Sequence, residues 1–170
     1  MNKDLTASQN DYAIFLPALS GFYATYVGKQ RYDEYVEKSR IPSNFANGVE
    51  SLNYLNAQEG AFTYKWTLYS AGHAELDVNK HSPKEDMIRN RDRANTWALG
   101  DSGGFQIGKG VWEGDWKDPT CPKAQKKREQ VLAWMDAYMD YGMVLDIPAW
   151  VSRSPAGAKA TGISTYQEAV

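Results

Sequence analysis

The sequence predicts an α/β fold on three observations. Residues 97–100 form an apolar run long enough for a buried strand, and it breaks at Asp101-Ser102-Gly103-Gly104, where paired glycines allow a turn that side chains would block. Residues 122–141 carry Val131, Leu132, Met135, Tyr138 and Met139 on one helical stripe that Gly142 closes,. A second strand-like block, Gly142 to Pro148, apolar up to Asp146, follows at once. Strand, helix and strand in that order read as one right-handed βαβ unit with parallel strands. Folds of this class put their chemistry where the strands end.

The other elements follow from local pattern. Residues 1–10 are polar and predict a frayed start,. Residues 13–19 read as a first buried strand, with Pro17 at its end or on an edge,. Residues 30–40 read as a charged amphipathic helix carrying Tyr32, Tyr35 and Val36, closed before Pro42,. Val49, Leu52, Tyr54 and Leu55 fit a strand or a short helix equally well. Residues 62–70 are aromatic and β-branched, as strands are,. A helix is expected over residues 83–95, with Ser82 as cap, Pro83 in the first turn and Glu85 completing an S-x-x-E box,.

Residues 108–116 are too rich in glycine for a helix and predict a loop or small hairpin,. Lys123, Lys126, Lys127 and Arg128 open the long helix, as a solvated face or as a phosphate contact. Residues 154–158 read as a flexible loop. Ser164 and Gln167 stand at the spacing of a capping box that opens a last helix,.

Composition bounds the rest. At 170 residues, 42% hydrophobic and 13% aromatic, the chain is one domain by length and can bury a sizeable core,. A net charge of −2 supplies no global field for a polyanion, so a nucleic-acid partner must be met by a local patch,. The sole cysteine, Cys121, excludes an internal disulfide and a four-cysteine zinc site, and a reducing cytosol suits it,. No apolar run reaches ~18 residues and no signal-peptide core opens the chain, so a soluble, cytoplasmic protein is expected.

The run Asp101-Ser102-Gly103-Gly104-Phe105-Gln106 after an apolar strand resembles the signature of the tRNA-guanine transglycosylase family, which exchanges a guanine in a nucleic acid for a 7-deazaguanine. Gly142-Met143-Val144-Leu145-Asp146-Ile147-Pro148 is similar to that family's later strand, which ends in a base-reading aspartate. The Leu-Asp-Ile-Pro wording departs from the tRNA enzymes and resembles the phage and bacterial branch that modifies DNA. A looser likeness runs from about Phe15 to the last residue. The resemblance implies the N-terminal portion of a (β/α)8 TIM-type barrel. A complete barrel takes roughly 250 residues, so the chain reads as the front of a larger protein, a truncated frame or half of a split enzyme.

By the same resemblance Asp101 is the general acid/base, Asp146 reads the base and Phe105 stacks on it. Ser102, Gly103 and Gly104 close the pocket, and Gln106 joins them as a substrate contact. The family's nucleophilic aspartate and zinc ligands lie downstream of these residues, so no metal or other cofactor is expected in this chain, and the chain alone is expected to lack exchange activity. The implied partners are DNA ahead of tRNA, a 7-deazaguanine base and a second polypeptide supplying the rest of the barrel, with no membrane. A phage-encoded copy would work in the host cytoplasm.

The chemistry suits these residue types. Parallel strands point their C-terminal ends to one face, so Asp101 and Asp146 are expected in one pocket. An ionised carboxylate accepts hydrogen bonds, and guanine offers N1–H and N2–H2 as adjacent donors. A base exchange that retains geometry passes through a covalent sugar–carboxylate intermediate, so three acids are wanted. Plainer readings stand beside these. Asp101 suits a turn cap, Asp146 a strand end and Phe105 a core ring. His73 and His81 suit structural or exposed positions, and Cys121 an inert thiol whose pKa a helix start lowers.

Rival motifs fail on single residues. Gly100-Asp101-Ser102-Gly103-Gly104 matches the nucleophile segment of chymotrypsin-like proteases, but Phe105 stands where that family has proline. Gly103 to Gly110 comes within one residue of a phosphate-binding loop, with Gly110 in place of the magnesium-holding hydroxyl. The remaining alternative is a non-catalytic base-binding or partner subunit that completes another chain's barrel.

Overall fold

The computed structural model describes residues 13–33, 36–45 and 48–169. The expected fraying of residues 1–10, and Tyr35, lie outside them. The protein is mixed α/β with a small three-stranded parallel sheet. Its strands β1 (Trp66–Ser70), β2 (Trp97–Asp101) and β3 (Tyr141–Gly142) hydrogen-bond in the order β1-β2-β3. The Trp97 amide donates to the Lys65 carbonyl at 2.7 Å, Ala71 to Asp101 at 2.9 Å and Met143 to Gly100 at 2.8 Å, a register that advances in step as parallel pairing requires,. Along β1 and β2 half-buried and buried residues alternate, the period of two that a pleated strand imposes,.

The chain forms two compact units, the described residues up to Tyr69 with Lys80–Leu99, and Ser70–Asn79 with the described residues from Gly100 onward. In the first, α1 (Gly21–Asp33) packs on the 3-10 turn Pro83–Glu85 and on α2 (Asp86–Arg89). Gly28 permits the approach, because a Cβ there would overlap the Pro83 carbonyl oxygen. Ala24, Val27, Leu55, Met87 and Ile88 are fully buried in this unit. The Arg31 guanidinium clamps it from the side, with Nη2 2.8 Å from Glu59 and Nε 3.0 Å from the buried Asp86.

Four expectations are corrected here. The helix predicted over residues 30–40 starts nine residues earlier, at Gly21, because Ser20 Oγ accepts the Tyr23 amide at 3.1 Å and caps it; residues 38–40 form only a 3-10 turn. The first strand reduces to one parallel bridge, Ala18 to Leu68, with Phe15 largely exposed. The strand expected over residues 62–70 begins at Trp66. The helix expected over residues 83–95 ends at Arg89. Ser82 makes no side-chain cap, and Glu85 turns to Arg89 instead of closing the box.

The second unit holds α3 (Gly104–Gly108), α4 (Pro122–Tyr138), the 3-10 turn Ala149–Arg153, α5 (Pro155–Thr161) and α6 (Tyr166–Ala169). Ile107, Trp116, Ala124, Val151 and Ile163 form a common core in it. The long helix ends three residues early, with Met139 already extended, and the strand expected over residues 143–147 is instead the two-residue β3 at Tyr141–Gly142, so Asp146 lies beyond the sheet; a Cβ on Gly142 would sit 2.8 Å from Met135 Sδ. Its buried face is Ala124, Val131 and Trp134, whereas Leu132 of the expected stripe is exposed.

The loop expected over residues 154–158 is the start of α5. Ser154 Oγ accepts the Gly157 amide at 3.2 Å and Pro155 occupies the first turn, a good helix start that its Ala and Gly content concealed,. The last capping box forms one residue later than predicted: Thr165 Oγ1 accepts the Glu168 amide at 3.3 Å, and the Glu168 carboxylate accepts the Thr165 amide at 3.2 Å,. No described helix is long and apolar enough to cross a membrane.

Candidate functional site

The site is built where β2 ends. Asp101 closes the strand half-buried, Ser102 follows fully buried, and Gly103 turns the chain at φ +80° so that α3 begins at once with Gly104. Gly103 faces the Trp112 indole, which a Cβ would approach to 2.5 Å. Gly104 lies against the backbone of Asp146, whose carbonyl oxygen a Cβ would overlap. Two glycines therefore bring the start of α3 against the segment that follows β3.

Ser102 Oγ donates to Asp146 Oδ1 at 2.9 Å. The Asp146 side chain is otherwise exposed, and its second oxygen takes no hydrogen bond among the described residues. Asp101, one residue before Ser102, has no side-chain hydrogen bond or ion pair among the described residues. Asp146 lies four residues beyond the end of β3 and is held by the Ser102 hydroxyl, whereas no hydrogen bond among the described residues joins the Asp101 carboxylate to either of them.

Gln106 lies on α3 with its amide flat against the Gly72 backbone, where a Cβ would overlap it. Its Oε1 is buried and has no hydrogen-bond partner among the described residues, which is unusual for a buried acceptor. Phe105 turns outward, 56% exposed, and meets the edge of Trp150 at 6.2 Å. The ammonium of Lys109 stands 5.4 Å from the Phe105 ring and 5.7 Å from the Trp150 ring. Trp150 was missed in the sequence. Its one signal is Gly108, a glycine at the end of α3 where a Cβ would come within 2.9 Å of the indole.

A cavity of about 860 Å³ opens between α4 and residues 141–147. Val131, Met135, Met139, Leu145 and Ile147 give it apolar walls, and Ser102 is the one expected site residue in its lining. Asp101 and Asp146 are not part of that lining. Successive residues of an extended chain point to opposite sides, so Leu145 and Ile147 face the cavity while Asp146 between them turns toward Ser102,.

The basic start of α4 is not a plain solvated face. Lys127 lies over the Trp112 ring at 5.1 Å and Arg128 over Trp116 at 5.3 Å, both at the cavity, and Lys123 pairs with Glu113 at 2.7 Å. Burial pushes the Lys127 ammonium below the usual lysine range. Cys121 precedes α4, and the Ala124 and Asp115 amides lower its thiol pKa, as a helix start does,. His73 and His81 are exposed, and His81 meets the Tyr32 ring edge-on at 4.2 Å.

Among the described residues no three His, Cys, Asp or Glu side chains gather closely enough to hold a metal ion. No protein-family model, curated protein or solved structure matches this chain.

Proposed function

We propose that this chain carries the acid/base and base-reading part of a transglycosylase that exchanges guanine in a nucleic acid, DNA ahead of tRNA, for a 7-deazaguanine, and that its parallel sheet belongs to a (β/α)8 barrel. The observation that supports the reading is the Ser102–Asp146 hydrogen bond, which ties the segment after β3 to the residue that follows Asp101 at the end of β2. With Ser102 fixing one oxygen, the Asp146 carboxylate keeps acceptor capacity for the adjacent N1–H and N2–H2 donors of guanine. Asp101, half-buried and without a side-chain partner among the described residues, gives a proton to the departing base and takes one from the incoming base,. The Gln106 amide is a further contact for the base, and Phe105 offers the base a ring face. The carboxylate that attacks the sugar comes from outside this set.

Two measurements test the reading. Calorimetry should detect guanine and 7-deazaguanine binding but not adenine, and Asp146→Asn should weaken it at least tenfold; unchanged affinity would remove Asp146 from the site. Exchange of labelled guanine should be assayed in the protein supplemented with polypeptides that bring a further strand ending in aspartate. There Asp101→Asn should abolish exchange and leave the circular dichroism spectrum intact, and normal turnover would refute its role.

A second reading, a partner subunit that completes another chain's barrel, is favoured by one specific observation. The backbone groups of residues 144–147 bond to no other backbone among the described residues, Val144 is 88% exposed, and the apolar cavity opens beside them. Under this reading a mixed complex forms and the Asp101→Asn chain supports exchange as well as the parent does.

A further inference from the structure

We propose that the surface formed by α3, the 3-10 turn Ala149–Arg153 and α5 is a track for single-stranded nucleic acid, with Phe105 and Trp150 as its stacking platform and Lys109, Arg153 and Lys159 as its phosphate contacts. The proposal deepens the base-exchange reading and rests on it for its place beside Asp146: α3 starts against the Asp146 backbone and ends against the Trp150 indole.

Charge carries the first part. In a chain of net charge −2, the stretches 102–112 and 147–167 contain Lys109, Arg153 and Lys159 and no acidic residue. All three cations are exposed, and among the described residues none pairs with a carboxylate. The elements that bear them pack on one another, α5 against both the 3-10 turn and α3. This is a local basic surface of the kind that an acidic chain needs to meet a polyanion.

Aromatic exposure carries the second. Phe105 is 56% and Trp150 39% exposed, and the two rings meet at 6.2 Å on this one surface. Lys109 stands beside both, so a base lying on either ring brings its phosphate near an ammonium. Successive ring faces with cations between them bind single strands, whose bases are free to stack, and do not suit a duplex, whose bases are already stacked. Nothing in the set recognises a particular base or a 2′-hydroxyl, so the track is indifferent to sequence and to sugar.

Anisotropy of labelled 12-mers of deoxythymidine and of uridine tests this without guanine. Both should bind saturably and alike. Trp150→Ala should weaken binding about tenfold, with partial rescue by Trp150→Phe. The surface pair Arg153→Gln with Lys159→Gln, which disturbs no packing, should flatten the salt slope by about 1.4, at ~0.7 per phosphate contact. Absence of saturable binding, indifference to both variants, or equal competition by a duplex would each overturn the track. Asp146→Asn should leave thymidine-oligomer binding unchanged. If the oligomers fail to bind while Asp146→Asn still weakens guanine binding, the track is wrong and the base site stands; the opposite pair of results removes the base site and keeps the track.

Discussion

Gly104 and Asp146 touch through their backbones: a Cβ on Gly104 would overlap the Asp146 carbonyl oxygen. Backbone cannot swing aside as a side chain does, so this contact sets the separation between α3 and the segment after β3.

Gly104→Ala is therefore expected to destabilise the protein by about 2 kcal/mol, in the range of overpacked sites, and to lower base affinity as Asp146 is displaced. Gly72→Ala makes a useful contrast. Its overlap is with the end of the Gln106 side chain, which can rotate out, so base affinity should fall with a stability loss below about 1 kcal/mol. Urea unfolding and calorimetry check both. Equal stability losses would show that the two contacts are alike.

Ser102→Ala removes the donor at 2.9 Å from Asp146 Oδ1. A hydrogen bond to a charged group contributes about 1.5–3 kcal/mol, part of which water recovers at the exposed carboxylate. Guanine affinity should fall about tenfold through loss of Asp146 orientation, and Ser102→Thr, which keeps the hydroxyl, should restore part of it. Affinity unchanged in Ser102→Ala would show that Asp146 needs no such support.

The cap of α6 carries a pH dependence. The Glu168 carboxylate accepts the Ser164 amide at 2.8 Å and the Ser164 hydroxyl at 3.0 Å, which hold its pKa at about 2, against an ordinary 4.5. A carboxylate whose pKa is depressed on folding stabilises fully above its unfolded pKa and loses that contribution as pH falls through its folded one. The cap should persist below pH 4.5 and be lost near pH 2. The Ser164 and Thr165 amide shifts, followed by NMR, should report that midpoint, and Glu168→Gln should abolish the transition. A midpoint near 4.5 would mean that the cap is not formed in solution.

Arg31 bridges Glu59 and Asp86, and Asp86 is 1% exposed. Removing the cation leaves a buried carboxylate whose remaining side-chain donors among the described residues are the Tyr32 hydroxyl at 3.2 Å and the Asn90 amide at 2.7 Å. Arg31→Ala should cost about 3 kcal/mol on denaturation, as broken buried pairs do. Arg31→Lys should recover only part, since one ammonium lacks the fork that reaches both acids. A loss below about 0.5 kcal/mol would show that the bridge is solvated.

Local pattern determined much of this protein without its fold. The apolar run at Trp97 ending at Asp101, the helix from Pro122 and the loop after Gly108 follow from period, proline and glycine, which act within a few residues of themselves,. The motif residues Asp101 to Gln106 and Asp146 were singled out by resemblance to a family motif, and local pattern alone does not group Asp146 with a run 40 residues before it. Tertiary packing decided the rest. Helix α1 packs where it does because Gly28 fits against Pro83, a contact far away in sequence. Asp146 turns to Ser102 while its neighbours Leu145 and Ile147 face a cavity, and Lys127 and Arg128 fold onto indoles of the preceding loop. Trp150 becomes an exposed partner of Phe105 for want of a side chain on Gly108. Propensity acts along the chain, whereas the direction a side chain takes depends on which distant backbone leaves it room.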